Sequence, residues 1–122
     1  MPKPVHFEIP SDNVDAAMAF YGAVFGWTFH KWDGPIAYWL ITTGPPEEAG
    51  INGGLLPRPH PQQPCVNTIT VANLDQSLAT VAANGGVCVV PRMTVPGVGW
   101  MAYCKDLDGH IFGMMQPDAT AA

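Results

Sequence analysis

The chain has 122 residues, which is enough for one domain with a hydrophobic core. Charged residues make up 12% of it and the net charge is −5, so the basic surface that nucleic-acid binding requires is not expected. No segment approaches the roughly 20 consecutive apolar residues of a membrane span, and residues 1–4 lack the apolar run of a signal peptide. We therefore expect a cytoplasmic protein without a nucleic-acid or membrane partner.

The first half of the chain predicts a strand, a helix and three further strands. Val5–Pro10 alternates apolar and polar residues, as a half-buried strand does. Asn13 or a neighbour can cap a helix that Gly26 ends, because Gly adopts the left-handed conformation easily. Helical spacing should turn one apolar stripe toward a core: Val14, Met18, Tyr21 and Phe25. The predicted strands that follow are 27–32, 36–42 and 51–56.

The second half repeats this order after a proline-rich segment. Residues 57–64 contain four prolines and predict an extended linker. A strand at 66–71 and a helix capped by Asn73 follow, and the helix carries Leu74, Leu78 and Val81. The remaining predicted strands are 87–91, 99–105 and 111–116.

An internal repeat with a constant offset of 60 positions supports this division. The matching pairs are Ile9 with Ile69, Asn13 with Asn73, Asp15 with Asp75, Ala19 with Ala79, and Gly26 with Gly86. We predict an α+β fold with two β-α-β-β-β modules, 4–56 and 65–117, within a single domain of residues 1–122. The modules should form curved mixed sheets around a cleft, where a ligand site is typical.

The cysteines Cys65, Cys88 and Cys104 are odd in number and lack the spacing of a metal site. A disulfide framework is therefore not expected, and a reducing cytosol fits this composition. We interpret the three thiols as small core or surface residues.

Several motifs resemble those of the vicinal oxygen chelate superfamily, which includes glyoxalase I, extradiol dioxygenases, and fosfomycin- and bleomycin-resistance proteins. The first is Phe20-Tyr21 followed by Phe25-Gly26-Trp27. The second is Asp106-Leu107-Asp108-Gly109, similar to an Asp-Pro-Asp-Gly turn with Leu in place of Pro. With Val95–Gly99 and Phe112-Gly113, the likeness covers nearly the whole chain and is nearest to the bacterial glyoxalase-related branch. It implies fold more strongly than reaction, because one scaffold can host many chemistries.

The resemblance also implies where a divalent metal (Ni, Zn, Fe or Mn) would be held, on the first and last strands of each module. Those places correspond to His6, to Gly53 or Gly54, to Val66 and to Gly113. Only His6 has a donor atom, whereas such a site needs about three protein ligands, so we expect no metal cofactor. The alternative is a metal held by His6 with unconventional partners, for which the candidates are Glu8, His60, Asp108 and His110.

His6 and Glu8 are the candidate catalytic residues, since either could act as a general base beside a carbonyl. The candidate ligand-binding residues share a strand face with His6 by parity or lie on strands whose facing the sequence leaves open. They are Trp39, Thr68, Trp100, Tyr103, Gly113 and Met115.

Three functional hypotheses follow. The first is a metal-free protein that binds a small, largely apolar molecule. The second is a metal-dependent lyase, isomerase or dioxygenase related to lactoylglutathione lyase, as the resemblance implies. The third is an interaction module whose cleft is filled by its own side chains. The resemblance and the low surface charge also predict a homodimer.

Overall fold

The computed structural model describes all 122 residues and confirms an α+β fold with two β-α-β-β-β modules. The chain divides into two compact units, residues 6–65 and residues 66–122, the second counted together with residues 1–5. Each unit has four strands and one helix. Neither helix is long and apolar enough to cross a membrane.

The first module runs through β1 (Lys3–Ser11), α1 (Val14–Phe25), β2 (Thr28–Lys31), β3 (Trp39–Thr42) and β4 (Gly53–Pro57). Its strands lie in the order β2-β3-β4-β1, with β1 parallel to β4 and the other pairs antiparallel. Glu8 and Leu40 both lie opposite Gly54 in this register. Because side chains alternate along a strand, these residues share one face with His6, which we call the His6 face.

The opposite face of this sheet lies toward α1. Phe7 packs there against Trp27, with ring centroids 5.8 Å apart, and Trp27 stacks on Tyr21 of α1 at 5.2 Å. The prediction that the α1 stripe faces a core is only partly right. No α1 residue is fully buried, and Phe25, in the last turn, is 59% exposed.

The ends of α1 follow the predicted capping chemistry. Asn13 Oδ1 accepts a hydrogen bond from the Ala16 amide at 3.0 Å, and Gly26 has a φ of 74°. β3 is shorter than the predicted strand 36–42. The Trp32 ring folds over Gly34 in the space that a side chain would occupy, so the chain bends there before pairing resumes.

The second module runs through β5 (Val66–Thr70), α2 (Leu74–Ala83), β6 (Val87–Val95), β7 (Gly99–Lys105) and β8 (Ile111–Pro117). Its strands lie in the order β5-β8-β7-β6, with β5 parallel to β8. β6 extends past the predicted end at Pro91, because an outer strand tolerates a residue without an N–H. Its pairing with β7 is irregular, with register shifts between Cys88 and Val90 and between Val90 and Met93.

A hydrophobic core fills the α2 side of this second sheet. Its buried members are Val71, Leu74, Ala102, Cys104 and Met114, with Ile69, Leu78, Val81, Trp100 and Phe112 packed against them. Strand alternation places a second set on the other face, which we call the Thr68 face: Thr68, Met101, Tyr103, Gly113 and Met115.

Candidate functional site

Three polar side chains form a connected network on the His6 face. The Tyr38 hydroxyl lies 2.7 Å from His6 Nε2 and donates to Glu8 Oε2 at 3.0 Å. Tyr38 is 9% exposed and Glu8 8%, whereas His6 is half-buried. A network of this kind is favourable inside a protein only when its members are hydrogen-bonded, and here the tyrosine joins both others.

Tyr38 is held in this position by its neighbours. Its hydroxyl and ring occupy the space beside Gly54 into which any other residue would project a Cβ atom. Trp32 contacts its ring edge-on with centroids 6.0 Å apart, and the His6 ring lies nearly parallel to it at 6.3 Å. The absence of a side chain at Gly54 is therefore what admits the tyrosine.

Burial favours the neutral form of His6. Burial lowers the pKa of the imidazole, and the Glu8 carboxylate opposes this shift only in part, so His6 is neutral at neutral pH. Because the Tyr38 hydroxyl donates its proton to Glu8, its oxygen accepts from His6 Nε2–H. Nδ1 then remains as the acceptor atom of the ring.

The corresponding place on the Thr68 face is apolar. Thr68 lies opposite Gly113, as Glu8 lies opposite Gly54. A Cβ atom at Gly113 would be 3.0 Å from Met101 Cε and 3.3 Å from Thr68 Oγ1. Thr68 is 3% exposed and its hydroxyl has no hydrogen-bond partner. This buried hydroxyl can donate to or accept from a polar atom brought to it.

The residues present do not fit the metal of the resemblance. The register identifies Gly54, rather than Gly53, as the residue on the His6 face, and neither Val66 nor Gly113 has a donor atom. His6 Nε2 and Glu8 Oε2 are both hydrogen-bonded to Tyr38.

The other suggested ligands do not join them. His110 pairs with Asp106 at 3.3 Å, and His60 Nδ1 accepts from the Gln62 amide at 3.2 Å. No three His, Cys, Asp or Glu side chains are grouped to hold a metal ion.

The remaining sequence-predicted residues fall into two groups. Tyr103, Gly113 and Met115 lie with Thr68 on one face of the second sheet, and Tyr103 Cε1 is 3.4 Å from the Cβ position of Gly113. Trp39 and Trp100 lie on the opposite faces of their sheets. Trp39 pairs with Leu55 beneath the Lys31 ammonium, and Trp100 packs against the α2 core.

Trp100 is further fixed by two polar neighbours. Its indole N–H donates to Asp118 Oδ2 at 3.1 Å, and the Arg92 guanidinium lies 4.4 Å from its ring centre. Hydrogen bonds from the Thr120 hydroxyl and amide, and then the bond from Trp100, lower the pKa of Asp118. These contacts give Trp100 a packing role, and they separate it from the Thr68 face.

A surface cavity of about 210 Å³ lies elsewhere, in the loop between β3 and β4. Its lining includes Thr43, Pro45, Glu48 and Asn52. The Thr43 amide and hydroxyl already bond to Asn52 Oδ1, at 3.0 and 3.2 Å. This loop cavity is separate in sequence from the polar network, where hydrogen bonds join three titratable side chains.

Tyr38 is the residue that sequence reasoning missed. It lay inside a predicted strand, but neither its face nor its reach toward Gly54 could be read without the register. The one available signal was Gly54 itself, a mid-strand glycine that indicates close approach of another group.

Comparison with known proteins agrees with this architecture. Residues 3–44 match the family model described as bleomycin resistance protein-like N-terminal. The chain is 31% identical over 114 residues to CFP32 of Mycobacterium tuberculosis, a protein whose name assigns it to the glyoxylases, and equally to its Mycobacterium bovis counterpart. The match covers 90% of this chain but 42% of that protein, so the chain spans less than half the length of these curated relatives.

Solved structures share the fold at low sequence identity. Methylmalonyl-CoA epimerase from Mycobacterium tuberculosis has a TM-score of 0.70 at 16% identity, over 94% of this chain and 87% of that one. A hypothetical protein from Bacillus halodurans has a TM-score of 0.73 at 14% identity, over 99% and 98% of the two chains. The matched family model and these relatives are consistent with the resemblance to glyoxalase and bleomycin-resistance proteins of the vicinal oxygen chelate superfamily, and the solved structures share the fold.

Proposed function

We propose that this protein binds a small organic molecule through the His6–Tyr38–Glu8 network and does so without a divalent metal. The observation that carries the proposal is the position of the Tyr38 hydroxyl. It fills the place beside Gly54 where the resemblance implies a metal ligand, and it bonds to both neighbouring polar groups. A hydrogen-bonding group thus replaces a metal-binding one.

The proposed ligand has an apolar body and at least one hydrogen-bonding group. His6 is only half-buried and offers Nδ1 as an acceptor, and the partly exposed Trp32 ring beside Tyr38 offers an apolar surface. Polar groups few in number on an apolar wall are typical of small-molecule sites.

Metal analysis of protein purified without chelators tests the metal-independent part. We expect less than about one tenth of an equivalent of Ni, Zn, Fe or Mn per chain, because a stable site needs about three protein ligands. Stoichiometric metal that disappears in His6→Ala would contradict the proposal and favour the metal-dependent lyase, isomerase or dioxygenase.

Ligand binding is tested by a thermal-shift screen of small carboxylic acids, amides and phenols, followed by calorimetry on hits. Tyr38→Phe should weaken binding by about fivefold or more, since a buried hydrogen bond is worth about 1 kcal/mol or more. Leu40→Met, on the same face but outside the network, serves as the matched control. Equal affinity of Tyr38→Phe and the parent protein would reject the network as the ligand anchor.

A second candidate function is metal-independent proton transfer beside a carbonyl group. The hydrogen-bonded series from His6 through Tyr38 to Glu8 favours it, because Nδ1 can accept a proton while Nε2–H and the tyrosine hydroxyl pass theirs toward Glu8. The lowered pKa of His6 keeps the imidazole in the basic form. Similarly folded proteins include an epimerase crystallised with methylmalonyl-CoA.

Proton transfer is tested by solvent-deuterium exchange at the α-carbon of 2-methyl thioesters, followed by NMR. Exchange that survives a chelator and is lost in His6→Ala would support it. Absence of exchange with parent protein that still binds the thioester would restrict the function to binding.

We also propose a cytoplasmic homodimer. Three free cysteines suit a reducing compartment. On α1, Phe20 and Phe25 are 58% and 59% exposed, and neighbouring exposed aromatic side chains of this kind are typical of a protein contact surface. Sedimentation at micromolar concentration should give a species of about twice 13.0 kDa. A monomer would contradict the proposal, and Phe20→Lys should dissociate the dimer.

A further inference from the structure

Two cysteines lie directly opposite each other on neighbouring strands of the second sheet. Cys88 of β6 and Cys104 of β7 are partners in the antiparallel register. Opposed residues in such a pair have Cα atoms about 4.5 or 5.5 Å apart, and disulfides span Cα separations of about 4.4 to 6.8 Å. The backbone therefore already brings the two thiols within bonding range.

The two thiols differ in environment. Cys88 is exposed, and its Sγ lies 3.4 Å from the Val90 carbonyl oxygen. Cys104 is fully buried in the α2 core, and burial together with the neighbouring Cys88 thiol, to which it is hydrogen-bonded, raises the pKa of Cys104 to about 11. Because the thiolate is the nucleophile, Cys88 is the thiol that meets an oxidant first.

We propose that Cys88 and Cys104 are an oxidisable pair that closes a cross-strand disulfide in the folded protein, with a low-molecular-weight disulfide as the oxidant. The Cys88 thiolate attacks one sulfur of the oxidant, forms a mixed disulfide and releases one thiol. The Cys104 sulfur then gives up its proton and attacks Cys88 Sγ, which releases the second thiol. Two protein thiols are oxidised and one disulfide is reduced to two thiols.

The location of the Cys88–Cys104 disulfide should restrain the strand β6. β6 loses its regular pairing with β7 between Cys88 and Val90 and again before Met93. A bond at Cys88 fixes the regular end of the strand, so oxidation should hold this outer strand in its register. Tyr103 of the Thr68 face adjoins Cys104 along β7, so the bond also stiffens the strand that carries it.

The test uses the full chain with Cys65→Ser, because Cys65 is exposed and would complicate thiol counting. The reduced protein is incubated with oxidised glutathione, quenched with acid and denatured for thiol titration and intact mass. We expect both remaining thiols to be lost, the mass to fall by about 2 Da, and a peptide containing Cys88 to be linked to one containing Cys104. A reductant should restore both thiols.

Two further variants make the result decisive. With Cys65→Ser and Cys88→Ser, we expect neither the mass loss nor a glutathione adduct, because Cys104 is buried. With Cys65→Ser and Cys104→Ala, a glutathione adduct of about 305 Da should persist on Cys88. If the Cys65→Ser protein keeps both thiols, or retains glutathione on Cys88 with Cys104 free, the proposal is overturned.

Discussion

The two modules share one backbone arrangement around a glycine of the last strand. The side chains at that place are polar in the first module and mostly apolar in the second. In each, a glycine of the last strand lies opposite a residue of the first strand, and a side chain of the third strand or just before it covers the glycine. The corresponding pairs are Glu8 and Thr68, Gly54 and Gly113, Tyr38 and Met101, and His6 and Val66.

The difference lies in the three joined polar side chains, which the first copy has and the second lacks. The first copy keeps three titratable side chains joined by hydrogen bonds, a costly arrangement to maintain unless it is satisfied. The second replaces the tyrosine with a methionine that cannot donate, so the Thr68 hydroxyl has no partner. The two copies thus share a fold, while the candidate catalytic residues lie in the first copy.

The largest expected effect tests how tightly each glycine is covered. Gly54→Ala should destabilise the protein by about 3 kcal/mol, because the new methyl group collides with the Tyr38 ring and hydroxyl. Gly113→Ala should cost about 1 kcal/mol, because it meets the flexible end of Met101. Urea unfolding measures the free energy of unfolding of both variants. Equal losses of stability would show that the two glycines are covered equally tightly.

The next effect concerns the covering side chains. Tyr38→Phe should cost about 1 to 3 kcal/mol, since it removes the hydroxyl that bonds to both His6 and Glu8. Met101→Leu, its counterpart in the second copy, conserves volume and should cost less than about 1.5 kcal/mol. If the methionine change proves the more costly in denaturant titrations, the polar network contributes little.

A smaller effect of opposite sign is expected at the first-strand position. Thr68→Val replaces a buried hydroxyl without a partner by a methyl group, so it should stabilise the ligand-free protein by about 1 kcal/mol. Glu8→Leu, at the matching position, should destabilise it. Calorimetric melting compares the two, and a loss of stability in Thr68→Val would reveal a bonded partner for the hydroxyl.

The smallest effect is the pH dependence contributed by His6. Its pKa is lowered on folding, so the unfolded chain binds more protons as the pH falls below the ordinary histidine value of about 6.5. Stability contributed by neutral His6 is therefore present above that pH and is lost toward the lower folded-state pKa. His6→Gln should flatten this part of the stability curve, and an unchanged curve would contradict the shift.

The sequence predicted the order of elements well because each signal was local. Asn13 and Asn73 cap their helices as expected, and the repeat located both modules. The sheet face on which each side chain lies was harder to predict, because it depends on the pairing register of the strands. Parity correctly grouped Thr68 with Gly113, whereas the positions of Trp39 and Trp100 needed the pairing of β3 and β7.

Only part of the polar network could be predicted from the sequence. His6 and Glu8 follow from alternation along one strand, but Tyr38 reaches them across 30 or more positions and needs the space at Gly54. The opposed cysteines were missed for a similar reason. The irregular register of β6 hides which residue of β7 faces Cys88.

The distribution of the four tryptophans gives the two copies separate optical reporters. Trp100 is the single tryptophan of residues 66–122, and its ring is held by Arg92 and Asp118. Replacing the three tryptophans of the first copy by phenylalanine would leave a fluorescence signal from the second copy alone. The unfolding transition seen by this fluorescence could then be compared with that seen by backbone circular dichroism. If the two transitions coincide, the two copies unfold as a single cooperative unit.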